Sequence, residues 1–99
     1  MRIYEYVLVD PRTPFDGRVT LNLPDAARIL CVSRHRLHGA VIYLLARVDG
    51  NEKHGTDERH FKIVLTGQDF NDTLWLYIGS VEWGGAWAHV FEDVRAQEA

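Results

Sequence analysis

Two adjacent glycines, Gly84 and Gly85, constrain this chain more than any other feature, because they separate two runs of strand-forming residues in the stretch LWLYIGSVEWGGAWAHVFED, residues 74–93. A two-residue connection between antiparallel strands requires positive φ at both central positions, and glycine adopts that conformation without steric cost. The pair therefore predicts a β-hairpin and sets its register, with Trp83 opposite Ala86.

The register also predicts which residues share a face of the hairpin. On one face Val81 lies opposite Ala88 and Gly79 opposite Val90, so that each larger residue meets a smaller one. This pattern is typical of a strand pair that packs beneath a second layer. The other face pairs Glu82 with Trp87, Ser80 with His89 and Ile78 with Phe91.

The rest of the chain alternates short strand-like runs with turn residues. Further strands are predicted over residues 3–9, 18–23, 29–33, 40–48 and 59–66, with a tight connection at 24–28 and a polar loop at 49–58. The run 40–48 is apolar on both faces, which is typical of a central strand, although a helix of that length remains an alternative. We therefore predict a single all-β domain over residues 1–99, a small antiparallel β-sandwich or barrel of about seven strands, with a frayed tail at 93–99.

Composition narrows the class of protein. The 99-residue chain carries a formal net charge of -3, which gives no basic field for general nucleic-acid binding. Cys31 is the only cysteine, so an internal disulfide framework is excluded and a reducing, cytoplasmic location is expected. Because it falls in an apolar run, Cys31 is predicted to be a small buried residue. The opening residues MRIYEYVLVD predict neither a secretion signal nor a membrane span.

Five segments together resemble a family of short, uncharacterised bacteriophage and prophage proteins whose last hairpin carries the motif G-G-x-x-x-H-V-F-E. The segments are RIYEY, LPDAARIL, IVLTG, YIGSV and GGAWAHVFE, and they are spread over nearly the whole chain. Ala26 stands where a glycine is usual in that family, Cys31 where a serine is usual and Gln68 where a histidine often stands. The resemblance implies a small phage-type accessory protein acting inside a bacterial cell, and it brings no biochemical activity with it.

The turn segment RHRLH at residues 34–38 is the one local concentration of basic residues. Guanidinium groups present paired donors to phosphate and carboxylate, so Arg34, His35, Arg36 and His38 are candidate contacts for an anionic ligand or a partner. A solvated turn is the alternative. No cysteine or carboxylate recurs at ligand spacing beside His35 and His38, so neither a metal site nor a cofactor is predicted.

Two residues of the hairpin are further candidates for binding. The hairpin is rich in aromatic residues, and Trp87 is one of them. An indole left at the surface acts as a recognition anchor. His89 lies opposite Ser80 and diagonal to Glu82, which predicts an imidazole held by that glutamate, either as a structural group or as a general base. No motif supplies a nucleophile, so no catalytic residue is predicted.

These features predict a non-catalytic binding protein, forming homo-oligomers, that neutralises a host defence protein or sequesters a small anionic, nucleotide-like signal. Two alternatives remain. The apolar first strand, residues 3–9, would suit a virion or assembly component in which neighbouring copies pack together. A small hydrolase would instead use His89 and Glu82.

Overall fold

The computed structural model describes residues 2–9, 17–34, 41–48, 56–71 and 73–94, which form seven strands in two antiparallel sheets packed together. The strands are β1 (Arg2–Val9), β2 (Arg18–Pro24), β3 (Arg28–Arg34), β4 (Ile42–Val48), β5 (Thr56–Leu65), β6 (Trp75–Trp83) and β7 (Ala86–Asp93). One sheet has the order β1-β4-β3 and the other the order β2-β5-β7-β6. The predicted all-β sandwich is confirmed. Among the described residues, no helix is long and apolar enough to cross a membrane.

The middle strand of the three-stranded sheet, β4, pairs with β1 on one side and with β3 on the other. Its residues Ile42, Leu44 and Ala46 are fully buried and alternate with half-buried neighbours, as expected for a strand with one face in the core. The predicted central strand is thus confirmed over 42–48. The helical alternative is wrong, because this run completes its backbone hydrogen bonds across two neighbouring strands.

The four-stranded sheet supplies the opposite wall of the core. Its contribution includes Leu23, Phe61, Ile63, Ala88 and Val90, each of which is 3% exposed or less. Burying one leucine, isoleucine, valine or phenylalanine side chain contributes about 1.5–3 kcal/mol. These residues alternate along their strands with partly exposed ones, except that Val64, next to Ile63, is also buried. Apart from Val64, the inner face of each strand follows from the period of two that a strand imposes.

The predicted hairpin is present as β6 and β7, and its register is confirmed from Trp83 opposite Ala86 as far as Gly79 opposite Val90. Gly84 and Gly85 have φ of 59° and 82°. Beyond Gly79 the register shifts by one residue, so that Tyr77 lies opposite Phe91. The predicted pairing of Ile78 with Phe91 is wrong, because Ile78 is the extra residue of a β-bulge and counting outward from a turn cannot detect an insertion.

β5 begins earlier than its composition suggests. The polar loop predicted at 49–58 is wrong at its end, since Thr56, Asp57 and Glu58 already belong to β5 and pair with the last residues of β2. Pairing across the sheet overrides the polar character of these residues. Residues 49–55 lie outside the described part of the chain. At the other end, Asp93 pairs with Trp75, and the tail residues 95–99 are again outside it.

Three apolar residues of the three-stranded sheet face solvent where burial was expected or left open. The prediction that Cys31 is buried is wrong: a β-bulge between Ile29 and Cys31 sets the register at which its side chain is exposed. In β1, Ile3 and Val7 are 55% and 44% exposed, so this chain alone covers only one face of its first strand.

Candidate functional site

Three of the six predicted site residues, Arg34, Trp87 and His89, lie in the described part of the chain, while His35, Arg36 and His38 lie outside it. Arg34 ends β3, and its Nη1 donates a hydrogen bond of 3.4 Å to the backbone carbonyl of Glu82. Glu82 is the cross-strand partner of Trp87. The structure therefore brings the arginine and the tryptophan to the same end of the hairpin, next to its turn.

Trp87 projects from the outer face of the four-stranded sheet, the face turned away from the core. Its neighbours along β7, Ala86 and Ala88, are half-buried and fully buried, whereas Trp87 itself is 54% exposed. The strand alternation that buries Ala88 and Val90 necessarily turns Trp87 outward. A large indole is therefore held in solvent by a hairpin whose register is set by its turn and its packing.

His89 is held by two hydroxyl groups on the same outer face. Its Nδ1 lies 2.6 Å from Ser80 Oγ and its Nε2 lies 2.7 Å from Thr66 Oγ1. Ser80 Oγ in turn lies 2.6 Å from the Tyr77 hydroxyl. The predicted pairing of His89 with Glu82 is wrong, because both ring nitrogens already have hydroxyl partners and a hydroxyl can either donate or accept.

These hydrogen bonds join the β6–β7 hairpin to the end of β5. In the serine–histidine–aspartate triad, a carboxylate holds the second ring nitrogen and stabilises the imidazolium. Here the second nitrogen of His89 meets Thr66, whose backbone N–H also donates a 3.0 Å hydrogen bond to the Trp87 carbonyl. The hydrogen bonds thus tie the end of β5 to the strand that carries the exposed indole.

An aromatic cluster continues the outer face toward the base of the hairpin. Its members are Phe70, Trp75, Tyr77 and Phe91, with ring centroids 4.7–5.8 Å apart in the contacting pairs. The Lys62 ammonium lies 5.1 Å from the centre of the Phe70 ring, close enough for a cation–π contact. The bulge at Ile78 is what brings Tyr77 onto this face, opposite Phe91.

A pocket of about 790 Å³, which the sequence did not reveal, opens at the base of the hairpin between β3 and β6. Both strands are bulged here, at Leu30 in β3 and at Ile78 in β6. Both bulged residues line the pocket, together with Ile29, Leu76 and Tyr77. Bulges interrupt regular pairing and redirect side chains, which is why they are common beside binding sites.

The floor of the pocket is an ion pair between Arg59 and Glu92. Two arginine nitrogens, Nε and Nη2, donate to the two carboxylate oxygens at 2.5 Å and 2.7 Å, and Nη1 donates to the Ala27 carbonyl at 2.5 Å. The side chains are only 15% and 2% exposed. The sequence contained a signal that Glu92 is buried with a partner. Glu92 continues the inward series of Ala88 and Val90, and a charge on an inner face requires a partner. The identity of that partner, 33 residues away, was not readable.

The charges of the pocket lining and the positions of possible metal ligands limit which ligands this region can bind. The pocket is lined by four carboxylates, Asp57, Glu58, Glu92 and Asp93, and by two arginines, Arg28 and Arg59, so negative charge is in excess. This lining does not favour an anion. Among the described residues, no three histidine, cysteine, aspartate or glutamate side chains are placed to hold a metal ion together.

Comparison with known proteins identifies the family. The chain belongs to the family described as a domain of unknown function, DUF7352, whose model matches residues 1–99. No curated protein and no solved structure matches the chain.

Proposed function

We propose that this member of the DUF7352 family is a non-catalytic binding protein of phage type, acting inside the bacterial cell, that binds and neutralises a host defence protein. The binding surface is the outer face of the β6–β7 hairpin. The observation that carries the proposal is the 54% exposure of Trp87 on a hairpin of defined register. The phage-type origin is supported by the resemblance of the five quoted segments.

Trp87 has the properties of an interface anchor. Tryptophan is among the residues that most often dominate the free energy of protein association, especially where polar groups surround it and exclude water. Its surroundings are of that kind: Glu82 lies opposite it, and Ser80 with His89 forms the next pair on the same face. The side chains of Ser80 and His89 are already fixed by hydrogen bonds, so little conformational entropy is lost when a partner covers them.

A small anionic signal is less well supported than a protein partner. The pocket has an excess of carboxylates, which repel an anion. Of the basic segment predicted to contact phosphate, only Arg34 lies in the described part of the chain, and it already donates to the Glu82 carbonyl. A hydrolase using His89 and Glu82 is less well supported still, because the histidine is bonded to Thr66 and Ser80.

One observation favours a second candidate, a homo-oligomeric virion or assembly component. Ile3 and Val7 expose apolar surface on β1, an edge strand of the three-stranded sheet, and such strands readily pair with neighbouring copies. Mass spectrometry of purified particles separates the two candidates. An inhibitor of a host protein is absent from the particles, whereas an assembly component is present at a fixed ratio.

The test compares two single substitutions, at residues of nearly equal fractional exposure that lie on different sheets. Trp87 is 54% exposed and Ile3 is 55% exposed, so Trp87→Ala and Ile3→Ala each truncate a side chain that is about half exposed, on different sheets of the sandwich. Affinity capture from host lysate identifies a candidate partner, and its affinity for each purified variant is then measured. We expect Trp87→Ala to weaken binding by roughly 30-fold or more, the effect of about 2 kcal/mol at an interface anchor.

Ile3→Ala is expected to bind the partner as the unmodified protein does and to rescue phage plating on the defended host equally well. Urea unfolding of both variants controls for folding. Loss of binding in Ile3→Ala with full binding in Trp87→Ala would place the interface on the three-stranded sheet and overturn the proposal.

A further inference from the structure

Along the line where β3 meets β6, the two sheets are in contact at Gly79 and separate one step farther toward the base of the hairpin. Where it is closed, a Cβ placed on Gly79 would lie 3.2 Å from Val32 Cγ2, so the two sheets meet there without room for a side chain. One step toward the base both strands bulge, at Leu30 and at Ile78, and the pocket of about 790 Å³ begins. Its volume lies within the range of roughly 300–1,000 Å³ that small-molecule sites occupy.

Three hydrogen bonds from one arginine form the floor of this pocket. Arg59 and Glu92 share two parallel hydrogen bonds, and the third nitrogen of the guanidinium holds the Ala27 carbonyl at the start of β3. Fork-to-fork pairs of this type fix both partners in direction as well as in distance. The charge of Glu92 is therefore compensated by Arg59, and the ion pair presents no net charge to a ligand.

Part of the pocket lining is apolar, beside its charged groups. Leu76 is 55% exposed and Leu30 is 43% exposed, and both line the same opening. Surface that is apolar and concave gains about 25 cal/mol for each Å² removed from water, and this is the usual source of small-molecule affinity. An apolar ligand body fits this part of the lining.

The charge at the rim decides the sign of the ligand. Asp57 and Glu58, both exposed at the start of β5, line the pocket, and Glu58 lies 3.4 Å from His60. Across from them Arg28 is the cation of the lining that does not belong to the floor. Asp93 also lines the pocket but has an interaction of its own. With Arg59 and Glu92 compensating one another, the two carboxylates Asp57 and Glu58 outnumber the one arginine, Arg28, so the rim attracts positive charge.

We propose that the pocket between the two bulges binds a small organic cation, an ammonium or amidinium group on an apolar body. The apolar body lies against Leu30, Leu76 and Ile78, and the charged group lies at the rim near Asp57 and Glu58. The inference goes beyond the proposed function. It uses a different surface from the one that carries Trp87, so either proposal can fail while the other stands.

The test uses three probes that share one apolar body and differ only in charge: 4-phenylbutylammonium, 4-phenylbutanol and 4-phenylbutyrate. Each is titrated into the full-length protein while amide shifts are recorded and heats are measured. We expect the ammonium probe to bind about tenfold or more tightly than the carboxylate probe, with the alcohol between them. Amides of Ile29, Leu30, Leu76 and Ile78, which line the pocket, should shift most.

A pair of variants separates the rim from general surface charge. Asp57→Asn with Glu58→Gln neutralises the rim, and Asp69→Asn neutralises an exposed carboxylate outside the lining. We expect the double variant to lose about fivefold or more of its affinity for the ammonium probe, while Asp69→Asn keeps it. Three results would each overturn the proposal: a carboxylate probe that binds as tightly, shifts confined to other residues, or no ammonium binding up to about 10 mM.

Discussion

The two halves of the β6–β7 hairpin meet the opposite sheet in different ways. In the tip half, from Gly79 to Val90 through the turn, Gly79 lies directly against Val32 and the two sheets are in close contact. In the base half, beyond the bulge at Ile78, the sheets separate and a pocket opens whose floor is an ion pair. Two halves of one hairpin thus use apolar packing in one place and buried charge in the other.

The difference between the halves shows how one strand pair can carry two surfaces, the outer face with Trp87 and the pocket. The tip half is closely packed at Gly79 and closed by a two-residue turn, and it carries Trp87 on its outer face. The base half instead carries a buried, hydrogen-bonded ion pair, in which each charge loses its compensation when the other moves away.

The largest effect is expected at the base. Glu92→Ala leaves the Arg59 guanidinium, 15% exposed, without its carboxylate. Removing one partner of a buried ion pair costs about 3–5 kcal/mol, because the remaining charge stays desolvated. We expect a loss of that size in the free energy of unfolding, measured by urea titration.

The matched control removes an exposed carboxylate from the same pocket. Glu58 lies 3.4 Å from His60, and its side chain is 64% exposed, so Glu58→Gln should change the free energy of unfolding by less than about 1 kcal/mol. Equal effects of the two substitutions would show that the Arg59–Glu92 pair is not buried in solution.

A smaller effect is expected at the tip. Gly79→Ala places a methyl group 3.2 Å from Val32 Cγ2, and a β-branched side chain between two sheets has little freedom to move aside. Overpacking of this kind costs about 1–3 kcal/mol. The same substitution in a Val32→Ala background should be nearly neutral, and an equal cost in both backgrounds would contradict close contact of the sheets at this level.

The smallest effect on stability is expected in the turn between β2 and β3, where the Ala27 carbonyl accepts a hydrogen bond from Arg59. Ala26 has φ of 60°, a conformation that a Cβ disfavours by roughly 1–2 kcal/mol and glycine does not. Ala26→Gly should therefore raise the free energy of unfolding by about 1 kcal/mol. The adjacent Ala27→Gly is the control, since Ala27 is 5% exposed and lacks positive φ, and it should lower stability instead.

The sequence predicted the tip half well because its determinants are local. Paired glycines and the alternation of larger with smaller residues act within one hairpin, and they lead to the observed pairing from Trp83 to Gly79. The same counting placed Trp87 and His89 together on one face. The hydroxyl of Thr66 beside His89 could not be predicted, since it depends on how β5 pairs with β7, 23 residues away.

The base half escaped prediction because its determinants are tertiary. A bulge at Ile78 is an insertion relative to the opposite strand, and nothing in the residues around it marks the position. The exposure of Cys31 follows in the same way from a bulge in β3. The Arg59–Glu92 pair unites strands that are distant in sequence, so the pocket exists only once both sheets are assembled.

The bulge at Ile78 is the feature on which the contrast between the two halves depends, and cross-strand NOEs in the full-length protein test it most directly. We expect backbone NOEs to link Gly79 with Val90 and then Tyr77 with Phe91, with Ile78 left out of the ladder. Backbone NOEs linking Ile78 with Phe91 in an uninterrupted ladder would contradict the bulge, and with it the pocket at the base of the hairpin.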